Sequence, residues 1–411
     1  MQDINENNEN IKQELSETGQ EIGIELEDEE ESILEPFDPS KITIDSRVVP
    51  MDTILRRLKQ GSIILSPSFQ RNEVWNPTKK SRLIESIMLS IPLPMFYVAA
   101  DEFGKWEVVD GLQRLSAIRD YLHGNKNGEL LKLTNLEFLG KKFNNKTFRV
   151  IEDNPEDQKF VNTILETELR FTVINPGTPE AVKRNIFKRI NTGGMPLTSQ
   201  EIRHALYEGA SSELLNELVN SAEFKQAIDG KLDDSRMGVT ELVLRLIAFM
   251  MLDRSAYKGG MDSWLSNAMQ ILNKFPSPSI DQLKKIFDEN EVPKLKINDF
   301  DQIKKKFKLS MNRAKKLFAG HAFRKSLPHS SKKSPINKSL FEIWGNVLYD
   351  ISEDEFEKLI ENKEIFFQKY AQHMSSISFI NLISRHSSSQ NGIMKGHQTI
   401  VDLVKQTIES H

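Results

Sequence analysis

Residues 106–124, WEVVDGLQRLSAIRDYLHG, join an apolar strand pattern to a helical one through a polar turn. Apolar residues lead up to Asp110. After it, apolar residues recur at the spacing of one helix face: Leu112, Leu115, Ile118 and Leu122. The stretch therefore predicts a strand followed at once by a helix, with the sequence DGLQR at the junction.

A turn of this composition suits a phosphate group. Gly111 permits a tight turn and a close approach of the backbone, and the first N–H groups of the helix lack helical acceptors and favour an anion. Arg114 can bind phosphate oxygens bidentately, Gln113 can donate to a ligand, and Asp110 can contact a ribose hydroxyl or a metal-bound water. Asp110, Gln113 and Arg114 are the predicted catalytic residues, and Gly111 is predicted to bind nucleotide. The alternative is an Asp–Arg pair that only ties the strand to the helix.

Two further polar loops extend the predicted site. SPSFQRNEVWNP places a second Gln-Arg pair, Gln70 and Arg71, before another helix. FKRINTGGMPLTSQEIR offers small residues whose N–H groups could form an anion nest. The nucleotide-binding residues predicted in this loop are Arg189, Asn191, Thr192, Gly193 and Gly194. A plain helix–helix turn, in which the two glycines supply positive φ, is the alternative.

The order of these patterns predicts an α+β fold in two domains behind an acidic tail. Residues 1–36 hold thirteen Asp and Glu against one Lys, so residues 1–40 are predicted to be disordered. Residues 41–210 mix short strands with helices and predict a domain with a small sheet. Thr198 and Glu201 form a predicted capping box within it. Residues 211–411 predict an α-helical domain.

The charge of the chain is unevenly distributed. The net charge is -4, yet residues 274–338 hold seventeen Lys and Arg against six Asp and Glu. An amphipathic helix in this segment predicts a surface that binds the phosphates of DNA, with a solvated lysine face as the alternative. The predicted DNA-binding residues are Lys304, Lys305, Lys306, Lys308, Arg313, Lys315 and Lys316.

The sequence also excludes cysteine chemistry, and it shows neither a membrane span nor a signal peptide. The chain has 411 residues and no cysteine, which excludes disulfides, thiolate nucleophiles and cysteine zinc sites. No apolar run is long enough to span a membrane, and the N-terminus lacks the pattern of a signal peptide. We therefore expect a cytoplasmic protein with no membrane partner.

Four motifs give the chain a family resemblance. FQRNEVW, LIESIMLSIPLP, WEVVDGLQRLSAI and FKRINTGGMPLTSQEIRHALY occur in this order over about residues 45–210. In this region the chain resembles DUF262 proteins, whose fold is similar to that of the ParB and sulfiredoxin nucleotide-binding proteins. Family members commonly read DGQQR where this chain reads DGLQR. The resemblance implies a nucleoside triphosphate pocket lined by Asp110, Gly111, Gln113 and Arg114, together with Gln70 and Arg71.

The resemblance also implies a role in defence against phage. DUF262 domains are similar to the N-terminal half of type IV restriction enzymes and of phosphorothioate-linked defence proteins, in which NTP hydrolysis controls a nuclease. We expect an NTPase with Mg²⁺ that acts on or senses DNA. Those enzymes end in an HNH nuclease of the DUF1524 kind, but His386, Asn391 and His397 are too closely spaced for one. We therefore assign no nuclease site to this chain, and any cutting is expected either from a partner, a nuclease or another defence-system protein, or from nothing beyond this chain.

Two alternatives to the NTPase stay open. A non-catalytic ParB-like module would bind DNA or regulate a partner and would use the nucleotide as a switch. A third hypothesis has the ParB-like fold nick DNA itself, with Asp110 and Glu73 as metal ligands. Whether the protein forms a homo-oligomer is open at this stage.

Overall fold

The computed structural model describes residues 11–16, 18–27, 43–65, 75–125, 127–190, 197–230, 232–287 and 292–409. It divides them into two compact units. The α/β unit lies within residues 35–196, and the helical unit combines residues from Leu197 onward with the N-terminal residues up to 34. The chain starts with two antiparallel strands of the helical unit, β1 (Gln13–Leu15) and β2 (Glu21–Glu25).

The α/β unit contains one five-stranded mixed sheet. Its elements are β3 (Ile44–Pro50), α1 (Met51–Lys59), β4 (Ile63–Ile64), α2 (Pro77–Met88), β5 (Phe96–Ala100), β6 (Trp106–Asp110), α3 (Leu112–Leu122), α4 (Gly140–Phe143), α5 (Phe148–Glu152), α6 (Gln158–Glu166), β7 (Glu168–Ile174) and α7 (Glu180–Ile190). The strand order is β3-β7-β5-β6-β4. β7 pairs with β5, and β6 with β4, in parallel, whereas β3–β7 and β5–β6 are antiparallel.

Aromatic packing holds the centre of this sheet. The rings of Phe96 and Phe171 stack with centroids 5.1 Å apart, and the Trp106 ring lies 5.3 Å from Phe171. Because side chains alternate along a strand, these three residues share the buried face of β5, β6 and β7. The sequences MFYVAA, WEVVD and ELRFTVIN each predict a short strand, and β5, β6 and β7 form there. The predicted α+β class is confirmed.

The segment at residues 131–145, which reads as a hairpin in the sequence, forms a loop and α4 instead. The buried Glu85 carboxylate accepts N–H groups of Glu137, Phe138 and Leu139 at 2.7–2.9 Å. Burial opposes the charge, but these three donors outweigh it and hold the pKa of Glu85 below its usual value. N–H groups captured in this way cannot join a strand ladder.

The helical unit is built around a central buried helix. Its helices are α8 (Ser199–Leu206), α9 (Ala210–Asn220), α10 (Ala222–Ala227), α11 (Gly238–Met251), α12 (Met261–Leu272), α13 (Ile280–Ile286), α14 (Phe300–Phe318), α15 (Lys338–Asp350), α16 (Glu353–Glu361), α17 (Lys363–Met374), α18 (Ile377–Ile383) and α19 (Gln390–Ile408). Thirteen of the fourteen residues of α11 are buried, and most of them are apolar, as expected of a helix in the core of a helical unit. Among the helices of the described residues, none is both long and apolar enough to cross a bilayer.

The boundary between the units lies earlier than the predicted residue 210. Residues from Leu197 onward belong to the helical unit, and α8 packs there through Arg203, which is 1% exposed. The capping box predicted at the start of α8 is present: Thr198 Oγ1 accepts the Glu201 N–H at 3.1 Å, and Glu201 Oε2 accepts the Thr198 N–H at 2.6 Å.

The structure also differs from the prediction that residues 1–40 are disordered, because Gln13–Leu15 and Glu21–Glu25 pair as the β1–β2 hairpin. Residues 1–10, 17 and 28–40 lie outside the described residues. Ile22 and Ile24 are buried in the core of the helical unit. The Glu25 N–H donates to the Ile336 carbonyl, and the Ile336 N–H donates to the Gly23 carbonyl, both at 2.8 Å. The acidic composition suggested too little apolar surface for order, but two isoleucines suffice when the core is supplied by the distant part of the chain.

Carboxylates of this N-terminal segment form ion pairs with cations that are buried or mostly buried. The partner distances are 2.6 Å for Glu14–Lys338, 2.6 Å for Glu25–Lys325 and 2.8 Å for Glu27–Arg245. Lys325 and Lys338 belong to the basic segment 274–338, so the acidic and basic segments that the sequence contrasts are partly paired with each other.

Glu241 of α11 lies at the centre of this charge cluster. Its carboxylate contacts Lys338 at 2.8 Å and Arg203 at 2.5 Å, and Arg203 also contacts Asp262 at 2.5 Å. Burial opposes the charge of Glu241, but Lys338 and Arg203 outweigh it and lower its pKa to about 2. Burial likewise opposes the charge of Lys338, but the carboxylates of Glu241, Glu14 and Glu27 outweigh it and raise its pKa. Glu241 therefore stabilises the helical unit as an ionised group.

We expect Glu241→Gln to lower the free energy of unfolding at pH 7 by about 2–3 kcal/mol, because the buried Lys338 and Arg203 each lose one of their two carboxylate partners. Urea denaturation followed by circular dichroism at 222 nm measures the change. Glu217→Gln is the matched control: this exposed carboxylate pairs with Lys304 at 2.6 Å, and its loss should cost under about 1 kcal/mol.

The effect of Glu241 should also depend on pH. Because the folded pKa of Glu241 is depressed, its contribution to the free energy of unfolding is complete above about pH 4.3 and is lost as the pH falls towards 2. The difference between wild type and Glu241→Gln should shrink over that interval, and equal effects of both variants would contradict this role.

Two neighbouring apolar residues test whether the hairpin packs on the helical unit. Ile24 is fully buried and Leu26 is 50% exposed. We expect Ile24→Ala to destabilise the helical unit by about 2–5 kcal/mol and Leu26→Ala by well under 1 kcal/mol in the same urea experiment. Indistinguishable variants would show that the hairpin does not pack as described.

Candidate functional site: the β6–α3 turn

Gly111 forms the turn between β6 and α3. Its φ is +95°, in the left-handed region that side chains disfavour, and it is the N-cap residue of α3 without a side-chain cap. A Cβ at this position would overlap the Phe96 ring. The Leu115 N–H bonds to the Gly111 carbonyl at 2.9 Å, so the N–H groups of residues 112–114 precede the first helical hydrogen bond. The turn thus has the backbone form expected of an anion-binding helix start.

Arg114 is held inside this turn by backbone acceptors. Its guanidinium donates to Asp110 Oδ2 at 2.8 Å, to the Met95 carbonyl at 3.1 Å and to the Pro94 carbonyl. It also lies 4.3 Å from the Phe96 ring centroid, and its side chain is 11% exposed. Burial lowers the pKa of Arg114 from its ordinary value, and Asp110 opposes that shift. The predicted Asp–Arg tie between strand and helix is therefore present.

Asp110 is the more accessible partner of this pair. Its side chain is 35% exposed, and the residue lies opposite Tyr97 of β5, which is partly exposed on the same face of the sheet. Met95 is 37% exposed nearby in sequence, and its sulfur accepts the Thr172 hydroxyl at 2.8 Å. A polar ligand on this face would meet the Asp110 carboxylate beside the N-terminus of α3.

Gln113 connects the turn to the start of α2. Its Oε1 accepts the Trp75 N–H at 3.2 Å, so the glutamine holds the segment before that helix. Gln70 and Arg71, predicted to bind nucleotide, and Glu73, the metal ligand of the third hypothesis, lie outside the described residues. The described contact nevertheless joins the residue that follows them, in the same motif, to the DGLQR turn.

The third predicted loop is described only at its edges. Arg189 lies in the last turn of α7 with an exposed side chain. Asn191, Thr192, Gly193 and Gly194 lie outside the described residues. The nest and the plain helix–helix turn therefore both stay predictions.

Arg313 differs from its predicted role as a DNA contact. Its side chain is 5% exposed, and its guanidinium donates to the Leu348 and Ile351 carbonyls at 2.8 and 2.7 Å and to Glu353 at 2.5 Å. A guanidinium committed to these acceptors stabilises the packing of α14 on its neighbours. Helical spacing placed Arg313 beside lysines, but it faces the interior of the unit.

Most of the predicted lysines on α14 also have partners within the helical unit. Lys304 pairs with Glu217 at 2.6 Å, Lys308 pairs with Glu223 at 3.5 Å, and Lys315 donates to Gln226 Oε1 at 2.9 Å. Lys306 lies 4.4 Å from the Tyr349 ring centroid, and Lys316 lies 5.4 Å from that of Phe356. Lys305 is exposed. The basic face is therefore partly neutralised, and DNA binding by these lysines stays a prediction.

The three residues weighed for an HNH site lie in helix α19 or in the turn before it. Asn391 and His397 both lie in the single helix α19, whereas an HNH site needs a ββα arrangement. Burial lowers the pKa of His397 to about 4. Within the ranges that the structure describes, no group of three or more His, Asp or Glu residues is placed to hold a metal ion.

Comparison with known proteins bears on the region that contains the DGLQR turn. Residues 51–208 match the family model of the GmrSD restriction endonuclease, N-terminal domain. This region is similar to a restriction endonuclease domain of the DUF262 type. The four motifs that carry the DUF262 resemblance all lie inside the matched residues, so that part of the interpretation is confirmed. No curated protein and no solved structure matches the chain.

Sequence reasoning missed the residues of the matched region that shape the turn from outside the motif. The carbonyls of Pro94 and Met95 accept from Arg114, and the ring of Phe96 lies against both Gly111 and Arg114. The sequence PLPMF carried a signal, because prolines fix an extended segment whose carbonyls lack helical partners. The pattern did not reveal that a guanidinium would bind them.

The turn can be tested through its glycine. Gly104 is the matched control: its φ is +75°, and no atom lies within 4 Å of the position that a Cβ would take there. We expect Gly104→Ala to cost only the backbone strain, about 1–2 kcal/mol, and Gly111→Ala to cost several kcal/mol more because its Cβ meets Phe96. Urea denaturation measures both, and equal costs would contradict the close packing of Phe96 on the turn.

Proposed function

We propose that the α/β unit binds a nucleoside triphosphate at the β6–α3 turn, and that the protein is a nucleotide-dependent component of a restriction-like defence against phage DNA. One observation carries this proposal: the left-handed Gly111 sets the first N–H groups of α3 beside the accessible Asp110 carboxylate. It lies in the region similar to the GmrSD N-terminal domain, which supports the restriction-like setting.

The contacts of each residue in the turn indicate a different role for it. Arg114 already uses three of its five guanidinium N–H groups on Pro94, Met95 and Asp110, so we assign it to holding the turn. The backbone N–H groups at the start of α3 would then receive the phosphates, with Gln113 fixing the segment before α2. Gln70 and Arg71 stay the proposed partners from the neighbouring loop.

Asp110 is the proposed link to a metal ion. Mg²⁺ in nucleotide sites is commonly held by one or two carboxylates together with the phosphates of the nucleotide. One accessible carboxylate next to the phosphate position meets that need without a cluster of protein ligands. The ion would neutralise the triphosphate, and Asp110 would position it or its bound water.

The activity that follows is NTP hydrolysis coupled to DNA, with the cutting done by a partner nuclease. The runner-up is a ParB-like module in which the nucleotide is a switch and is not hydrolysed. The internal commitment of Arg114 favours this second function, because an arginine bound to its own backbone supplies less charge to a transition state. Turnover separates the two functions.

Phosphate release from ATP, GTP, CTP and UTP tests the proposal, with and without duplex DNA, in wild type and Asp110→Asn. We expect the variant, which keeps the shape of the side chain, to lower release by about 100-fold or more. Asp153→Asn, at an exposed carboxylate of the same unit, is the matched control and should release phosphate at the wild-type rate. Unchanged release in Asp110→Asn would overturn the proposed site. Tight nucleotide binding without release by wild type would establish the switch instead.

A further inference from the structure

A second surface of the α/β unit lies at the other end of β6, around the β5–β6 turn. We call it the arginine–phenylalanine surface and define it by Arg47, Arg56, Arg57, Phe103 and Lys105. Arg47 comes from β3, and the next two arginines come from the last turn of α1. β6 separates this surface from Asp110 by about 13 Å at the rise of a strand.

Arg57 is fixed in one orientation on this surface. Its guanidinium carbon lies 3.8 Å from the Trp106 ring centroid, and its Nη2 donates to the Gly104 carbonyl at 2.7 Å. Trp106 is only 2% exposed and packs against Phe171, so the platform under the guanidinium is rigid. A preordered cation loses little side-chain freedom when it binds an anion.

Positive charges converge on Arg57. The Arg47 guanidinium carbon lies 5.8 Å from the same Trp106 ring. Burial lowers the pKa of Arg57, and the charges of Arg47 and Arg56 lower it further. Asp45 offsets part of this charge through its 3.1 Å pair with Arg47, but it is shared with Asn175 at 2.8 Å. An added anion would relieve the repulsion that remains.

Phe103 stands at the tip of the turn with 88% of its surface exposed. The turn beneath it is well ordered, because the Asp101 carboxylate accepts the N–H groups of Phe103 at 2.9 Å and Lys105 at 2.8 Å. These bonds direct the Asp101 charge into the turn, whereas Glu102 and Lys105 are both exposed beside the ring. An exposed aromatic ring on an ordered turn, one residue before the Gly104 carbonyl that Arg57 binds, has no packing role in the unit.

We infer that the arginine–phenylalanine surface binds a nucleic-acid strand, with its cations on the backbone phosphates and the Phe103 ring stacked on an unpaired base. Phosphate contacts and an aromatic stacking platform are the two parts of sequence-independent single-strand recognition. An acidic peptide would use the cations alone and would leave the aromatic ring without a partner. The inference deepens the proposed function and rests on it for the expectation of DNA, since it names the surface that the DNA would contact.

Fluorescence anisotropy with a labelled single strand and its matched duplex tests the surface in the full-length protein. The charge variant is Arg56→Ala with Lys105→Ala, two exposed residues, and the stacking variant is Phe103→Ala. The matched control is Lys141→Ala with Arg149→Ala, which removes two exposed cations elsewhere on the same unit. Nucleotide binding is measured on the same samples.

We expect the charge variant to reduce the slope of log affinity against log salt for the single strand by about 1.4, at about 0.7 per lost contact. Phe103→Ala should weaken single-strand binding by about tenfold and leave that slope unchanged, and the control should match wild type. The measurement with duplex DNA tests whether an unpaired base is required. A fully paired duplex should bind less tightly than the single strand, and Phe103→Ala should not change its affinity.

Wild-type affinity in both variants, or no DNA binding by wild type, would overturn the inference. Competition by poly-glutamate, with sensitivity to the charge variant but not to Phe103→Ala, would also overturn it in favour of an acidic protein segment. If wild type bound no nucleotide, the proposed function would be wrong. The inference about this surface would still stand, because DNA binding is measured separately.

Discussion

The helical unit depends on an ionised carboxylate, Glu241, in the first turn of its core helix. Lys338 and Arg203 keep it charged, so that α8, α11 and α15 meet at one carboxylate. Isolated buried charges are costly, and such a cluster is stable only when every member has a partner. Glu14 of the N-terminal segment is one of those partners. The position of the hairpin and the position of α8 therefore follow from the same electrostatic requirement.

The α/β unit also has one charged side chain that joins several segments of the chain. Arg114 binds Asp110 together with the Pro94 and Met95 carbonyls, which joins β6, α3 and the segment before β5. This leaves the backbone of the Gly111 turn, rather than the arginine, as the part that a ligand can meet. The strand that ends in this turn begins at Trp106, the residue on which Arg57 rests. One short strand thus connects the two surfaces to which we assign nucleotide and nucleic acid.

The spacing of apolar residues was enough to predict β5, β6, β7 and the helix after the DGLQR turn, and the Thr198–Glu201 spacing was enough to predict the capping box of α8, because these features arise from local patterns. It could not predict contacts between distant segments. Glu85 captures N–H groups more than fifty residues away, and its effect on residues 131–145 has no local signature. The acceptors of Arg114 are backbone carbonyls, which the sequence does not distinguish. The inward position of Arg313 depends on carbonyls of another helix.

The hairpin has a consequence for the order of folding during synthesis. Its Glu25 pairs with Lys325, 300 residues later in the chain, and its strand partner Ile336 follows. At about 5–20 residues per second, a ribosome needs roughly 15–60 s to reach those partners. The whole α/β unit leaves the ribosome in that interval, while the hairpin residues have no core to join. Carboxylates flank the two isoleucines of β2, and charges beside an apolar strand segment oppose its aggregation, so the charge that later fixes the hairpin also protects the nascent chain.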